Sequence, residues 1–349
     1  MNAPVVALTG ASAGVGRATA IAFAEQGFRV ALIARGRERL SSVAKEVKAA
    51  GGHALVLVAD VADSSVLEAV AAQIASQWGR IDVWVNNAMA TLFGPVSALS
   101  ADEVRRVTEV TYLGQVHGTL AALKQMRRQG EGTIVQVGSA LAYRSIPLQS
   151  AYCAAKAAVR GFTDSLRSEL LHEGSPIRLT MVQLPAVNTP QFDWARSHLP
   201  RRLQPVGAIH APEAAAAAIL KAARAAPREL WVGGPTVQAI LGTVAAPGLL
   251  DRMMARKAWD GQMTAEAARP REGNLFEAPA GDPGAEGGFS ERASSGAVSI
   301  SGTAARGGVA VLAVGLAAGA AAAAWRLGAS RARARLRNAA EPPARRIGP

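Results

Sequence analysis

The stretch Thr9-Gly10-Ala11-Ser12-Ala13-Gly14-Val15-Gly16 constrains the fold more than any other, because a strand-like run, Val5–Thr9, leads into it and an amphipathic segment starts at Arg17. Glycines there permit a tight turn and let bare N–H groups approach a pyrophosphate, with the positive end of a helix behind them. The spacing G-x-x-x-G-x-G differs from the commoner dinucleotide pattern G-x-G-x-x-G, so its weight comes from the strand–turn–helix setting.

The same alternation continues to about Gly234. Apolar runs at Val5–Thr9, Arg29–Ala34, Ala54–Asp60, Ile81–Asn86, Thr133–Gly138, Arg178–Leu184 and Glu229–Val232 read as strands. Between them Arg17–Gln26, Arg37–Ala50, Ser64–Trp78, Ala101–Arg128, Ala151–Leu171 and Pro212–Ala225 carry helical periodicity. This pattern predicts an α/β fold: a single doubly wound Rossmann-type parallel sheet of about seven strands with helices on both faces. Right-handed crossovers bring the carboxyl ends of the strands to one edge, where the chemistry is expected. Residues 1–250 are expected to form this domain and 251–276 an extension of it. Residues 277–306, rich in Gly, Ala, Ser and Pro, read as a disordered linker.

At the nucleotide end, Thr9, Gly10, Ser12, Gly14, Val15 and Gly16 are candidate cofactor contacts. The second strand ends in Ala34-Arg35-Gly36-Arg37, with no carboxylate for a ribose 2′-OH. Arg35, and Arg17 just after the last glycine, suit a 2′-phosphate instead, which favours NADP(H) over NAD(H). Asp60, followed by Val61, is placed to meet the adenine, and Asn87-Ala88 ends the fourth strand beside the cofactor. A structural amide is the competing account of Asn87.

Downstream, Ser139, Tyr152 and Lys156 make the candidate catalytic set. A phenol titrates near about 10 and a lysine near about 10.4, and four residues apart on a helix they share a face. An ammonium there would lower the phenol toward working pH, as a general acid or base requires. Ser139 would hold the substrate oxygen.

With TGASAGVG, the Asn86-Asn87-Ala88 run, Ser139 and Tyr152-Cys153-Ala154-Ala155-Lys156 in order, the chain resembles the short-chain dehydrogenase/reductase family over roughly residues 3–240. The resemblance implies hydride transfer between a nicotinamide cofactor and a carbon–oxygen centre, with Tyr152 as acid/base and Lys156 also contacting the nicotinamide ribose. It further implies that Pro185, Val187 and Thr189 meet the nicotinamide side, although Ala186 replaces the usual glycine. Thr111 stands where the family carries a water-holding asparagine, so a catalytically silent NADP-binding sensor or scaffold is the alternative to an enzyme. A homo-oligomer through the fourth and fifth helices is expected by the same analogy.

Seven arginines beyond residue 325 against Glu341 supply +6 of the formal net charge of +12, so the folded part is only mildly basic. No nucleic-acid partner and no metal site are expected. The single cysteine, Cys153, fits a reducing compartment. MNAPVVALTG has no basic n-region, so a secretory leader is not expected and the cytoplasm is. Residues 307–325 are uncharged and just long enough to cross a bilayer, which suggests membrane association by an Ala-rich helix ahead of the Arg-rich end of 307–349; a soluble or disordered tail is the alternative. After Thr189, Phe192 and Trp194 suit a lid over a small apolar carbonyl or alcohol, with Arg201 and Arg202 for an anionic head; a packed surface loop is the other reading.

Overall fold

The computed structural model describes residues 3–308 apart from Pro270. Eight strands make one sheet: β1 Val5–Thr9, β2 Arg29–Ala34, β3 His53–Val58, β4 Val83–Asn86, β5 Gly132–Ser139, β6 Ile177–Leu184, β7 Glu229–Val232 and β8 Ser299–Ser301. Their order is β8-β7-β6-β5-β4-β1-β2-β3, and every pairing is parallel except that of β8 with β7. The helices that cover it are α1 Gly14–Ala24, α2 Arg37–Ala49, α3 Ser64–Trp78, α4 Ala101–Thr108, α5 Gly114–Gln129, α6 Ser150–His172, α7 Pro212–Ala225 and α8 Gly234–Ala245.

A parallel sheet buried on both faces needs apolar residues at successive positions, and β1 shows why. Val5 and Ala7 face one core with Leu67 and Ile74 of α3, Met126 of α5 and Leu166 of α6. Val6 and Leu8 face the other, with Phe23 of α1, Val43 of α2 and Ile219 of α7. The strand order reverses between β2 and β4 on either side of β1, which opens a crevice at the carboxyl ends.

The expected single helix over Ala101–Arg128 is interrupted by a wider π turn at Glu109–Leu113. There the Thr111 hydroxyl donates to the Ala90 carbonyl at 2.7 Å and accepts from the Ala90 N–H at 2.9 Å, tying the turn to the chain beyond β4.

Residues 277–301 are not a disordered linker, and the compact unit runs to Ser301 rather than ending near 250–276. β8 extends the sheet, with Trp231 opposite Ile300. Leu275 is fully buried in the first core, and Phe289 packs with Phe192, Phe93 and Leu203 in a third cluster, edge-on to Phe192 at 5.9 Å. In this segment poor in apolar residues, Phe289 is the buried anchor, while Val298 and Ile300 stay exposed. The expected membrane segment 307–325 lies, after Gly308, outside the described residues. No helix among the described residues is long and apolar enough to cross a membrane.

If Phe289 is such an anchor, Phe289→Ala should cost about 3 kcal/mol in urea unfolding, and a loss below about 1 kcal/mol would show the segment to be loosely held.

Candidate active site

The glycine turn is built by close packing against the ends of β1 and β4. Gly10 adopts φ +69°, and a Cβ on Gly16 would lie 2.1 Å from the Gly10 carbonyl oxygen. Such a contact is impossible, so only glycine lets α1 start this close to the sheet. Thr9 is buried and its Oγ1 accepts from the N–H groups of Asn87 and Ala88 at 3.0 and 3.1 Å. The Asn87 amide in turn donates to the carbonyls of Thr9 and Gly10 at 3.0 and 3.3 Å. Asn87 thus braces the turn while still lining the cavity, and Asn86 is wholly internal, bonded to Trp84, Thr119 and Gln136.

One cavity of about 470 Å³ brings together the sequence-predicted residues Gly10, Ser12, Gly14, Val15, Gly16, Arg35, Asp60, Val61, Asn87, Ala88, Ser139, Tyr152, Lys156, Pro185, Val187 and Thr189. Thr9 and Arg17 do not line it. Ser139 ends β5, and Tyr152 and Lys156 sit on successive turns of α6. Tyr152 shares the cavity with Ser139, whose Oγ accepts from the Leu141 N–H at 3.1 Å. Lys156 Nζ donates to the Val137 carbonyl at 2.6 Å and lies 5.8 Å from the centre of the Tyr152 ring.

The electrostatics differ from the sequence expectation. Burial raises the Tyr152 phenol above its ordinary value, partly offset by Ser139, and burial pulls Lys156 down to about 7. Desolvation shifts each group toward its neutral form, the opposite of the phenol lowering expected from a neighbouring ammonium.

At the far end of the cavity, Asp60 pairs with Arg106 and accepts from the Ala62 N–H at 3.0 Å. Arg35 donates to three main-chain carbonyls of residues 274–277. Arg17 turns onto Glu46, Ser42 and Asp282.

Of the expected lid residues, Phe192 and Trp194 line the cavity, and each also packs on the protein. Phe192 is buried in the third cluster, and Trp194 is stacked by the Arg39 guanidinium at 4.8 Å. Arg201 pairs with Asp260, and Arg202 with Asp193 and Glu266. His210 is buried. Residues missed in the sequence line the Tyr152 end: Ile146, Val206, Pro235, Ala239 and Met254 are apolar, and Thr91 and Thr236 carry buried hydroxyls without a protein partner. Pro at the start of α8 was the one available signal for this wall.

Between pH 7 and about 10 an unfolded Lys156 holds a proton that the folded one has released, so stability rises with pH through that window and the cost is fully present below it. Relative to Lys156→Met, the unfolding free energy should rise between pH 7 and 9 by up to about 1.4 kcal/mol per pH unit; parallel profiles would show that the lysine is not desolvated.

Comparison with known proteins accords with this geometry. The short chain dehydrogenase family profile matches residues 4–199. YxnA of Bacillus subtilis strain 168, an uncharacterised oxidoreductase, is 35% identical over 283 residues, covering 79% of each chain. The mouse dehydrogenase/reductase SDR family member 7B is 34% identical over 189 residues, 53% of this chain and 58% of its own. Among solved structures, a metagenomic short-chain oxidoreductase in complex with NADP superposes with a TM-score of 0.55 at 27% identity, over 64% of this chain and 91% of its own. An alcohol dehydrogenase from the archaeon Thermococcus sibiricus, complexed with 5-hydroxy-NADP, gives 0.57 at 26% identity, over 66% and 96%. The chain therefore belongs to the short-chain dehydrogenase/reductase family and is an oxidoreductase of that kind.

Proposed function

We propose that this chain is an NADP-dependent oxidoreductase that interconverts a ketone or aldehyde and an alcohol on an apolar small molecule. The observation that carries it is the meeting of Ser139, Tyr152 and Lys156 with the glycine turn and Arg35 in one cavity. The cradle suits a dinucleotide: side chains are excluded where Gly10 and Gly16 meet the sheet, and Asn87 holds the turn in place. When bound, a nicotinamide supplies or accepts the hydride at the substrate carbon. Tyr152 then gives its phenolic proton to the carbonyl oxygen, Ser139 orients that oxygen, and Lys156, poised near neutrality, returns a proton to the phenolate. Oxidation of the alcohol runs the same steps backwards.

The apolar wall of Ile146, Val206, Pro235, Ala239 and Met254 supports an apolar substrate. The absence of a carboxylate at the end of β2, with Arg35 in its place, supports the phosphorylated cofactor. A silent binding protein draws on Thr111, whose hydroxyl is committed to Ala90. A homo-oligomer is proposed through α5 and α6, where exposed Leu120 borders a groove of Leu123, Phe162 and Leu166. Attachment to the inner face of a membrane through residues 307–325 rests on the sequence, and a cytoplasmic domain accords with the cofactor.

Tyr152→Phe should retain NADPH binding and lose about 10²–10⁴-fold in turnover on any active carbonyl compound, and equal turnover would remove Tyr152 from the acid/base role. A chain ended after Ser301 keeps the whole compact unit and should no longer pellet with membranes; unchanged pelleting of the shortened chain would rule out the tail as anchor.

A further inference from the structure

The segment expected to be a linker runs along the mouth of the cofactor cleft, and its contacts follow the cleft in order. Arg35 donates to the carbonyls of Asn274 and Phe276, each at 2.7 Å, and to that of Glu277 at 3.2 Å. Arg39 donates to those of Ala280 and Gly281 at 2.8 and 2.6 Å, and to that of Pro279. Arg17, buried, forms an ion pair with Asp282. The Gly284 carbonyl accepts from the N–H of Gly14 in the glycine turn at 3.3 Å, and Gly287 is pressed against the main chain of Thr189. Ala278 and Pro279 are themselves part of the cavity wall.

The chemistry of these contacts is that of a bound anion. Residues 274–288 carry Glu277, Asp282 and Glu286 and no basic side chain. They offer main-chain oxygens and one carboxylate to three guanidinium groups that come from the start of α1 and the end of β2 onward. Gly281 and Gly284, at φ +77° each, let the chain bend from one arginine to the next. Leu275 and Phe289 pin the two ends in apolar clusters, so the stretch between them is held mainly by polar contacts.

We propose that residues 276–287 are a self-ligand strap that competes with the 2′-phosphate of the dinucleotide for Arg17, Arg35 and Arg39, which makes Asp282 a determinant of cofactor choice. The proposal rests on the reading that a nicotinamide dinucleotide binds this cleft. A phosphate accepts stronger, charge-assisted bonds than neutral carbonyls do, so it displaces the strap from Arg35 and Arg39. Asp282 is the strap carboxylate that forms an ion pair with one of these arginines, and its hold on Arg17 opposes that displacement. A cofactor without the 2′-phosphate has no claim on these donors and leaves the strap in place.

The test is a pair of binding titrations with NADPH and NADH on the full chain and on Asp282→Asn, read by nucleotide fluorescence. The amide variant keeps shape and loses charge. It should bind NADPH roughly tenfold more tightly, the factor carried by about one charged hydrogen bond, and NADH within about twofold of the unaltered chain. Hydrogen exchange gives a second readout that does not depend on the variant: NADP⁺ should speed exchange of the amides of residues 276–287, and NAD⁺ should not. An unchanged NADPH-to-NADH ratio in the variant, or slower strap exchange with NADP⁺, overturns the strap while leaving the cofactor reading intact. Binding of neither nucleotide by the unaltered chain overturns both.

Discussion

The site depends on the close approach of α1 to the carboxyl end of β1. Where Gly16 meets the Gly10 carbonyl there is no room for any side chain, and this contact puts the first helical N–H groups beside the crevice between β2 and β4. Thr9 and Asn87 then lock the end of β4 to the same turn by hydrogen bonds in both directions. A rigid cradle at one end lets Ser139, Tyr152 and Lys156, delivered by β5 and α6, face a fixed partner at the other.

Burial, more than neighbouring charge, sets the protonation of the reacting groups. Tyr152 and Lys156 are both desolvated, and the same environment that keeps the phenol neutral brings the lysine close to neutrality. In the proposed reaction, a phenol that is neutral at rest and an amine able to exchange a proton near pH 7 would form the relay. Thr111 takes no part in it as a side chain, since its hydroxyl closes a two-way bond with Ala90.

Much of the fold was legible because parallel strands buried on two faces must be nearly all apolar, and β1, β2 and β7 emerged with the bounds their sequences suggest. The grouping of Ser139, Tyr152 and Lys156 in one cavity was legible because spacing on a helix places Tyr152 and Lys156 together. The strap was not. Its order comes from Arg17, Arg35 and Arg39, more than 200 residues away in sequence, and local composition cannot report a partner that distant. The signals were the isolated Leu275 and Phe289 around an acidic, glycine-rich run, and the alternating Ser299-Ile300-Ser301 of β8. The lid arginines misled for the opposite reason: Arg201 and Arg202 face Asp260, Asp193 and Glu266, and a substrate need not be invoked for them.

The central claim is that hydride passes between a nicotinamide and a substrate carbon held at Tyr152. Its most direct test is the fate of deuterium from NADPH labelled at nicotinamide C4, followed by mass spectrometry of the alcohol formed from a reduced apolar carbonyl compound. The account predicts the label on the carbinol carbon, in step with NADPH consumed. Consumption of NADPH that leaves the carbinol carbon unlabelled, whichever face of C4 carried the deuterium, would contradict it.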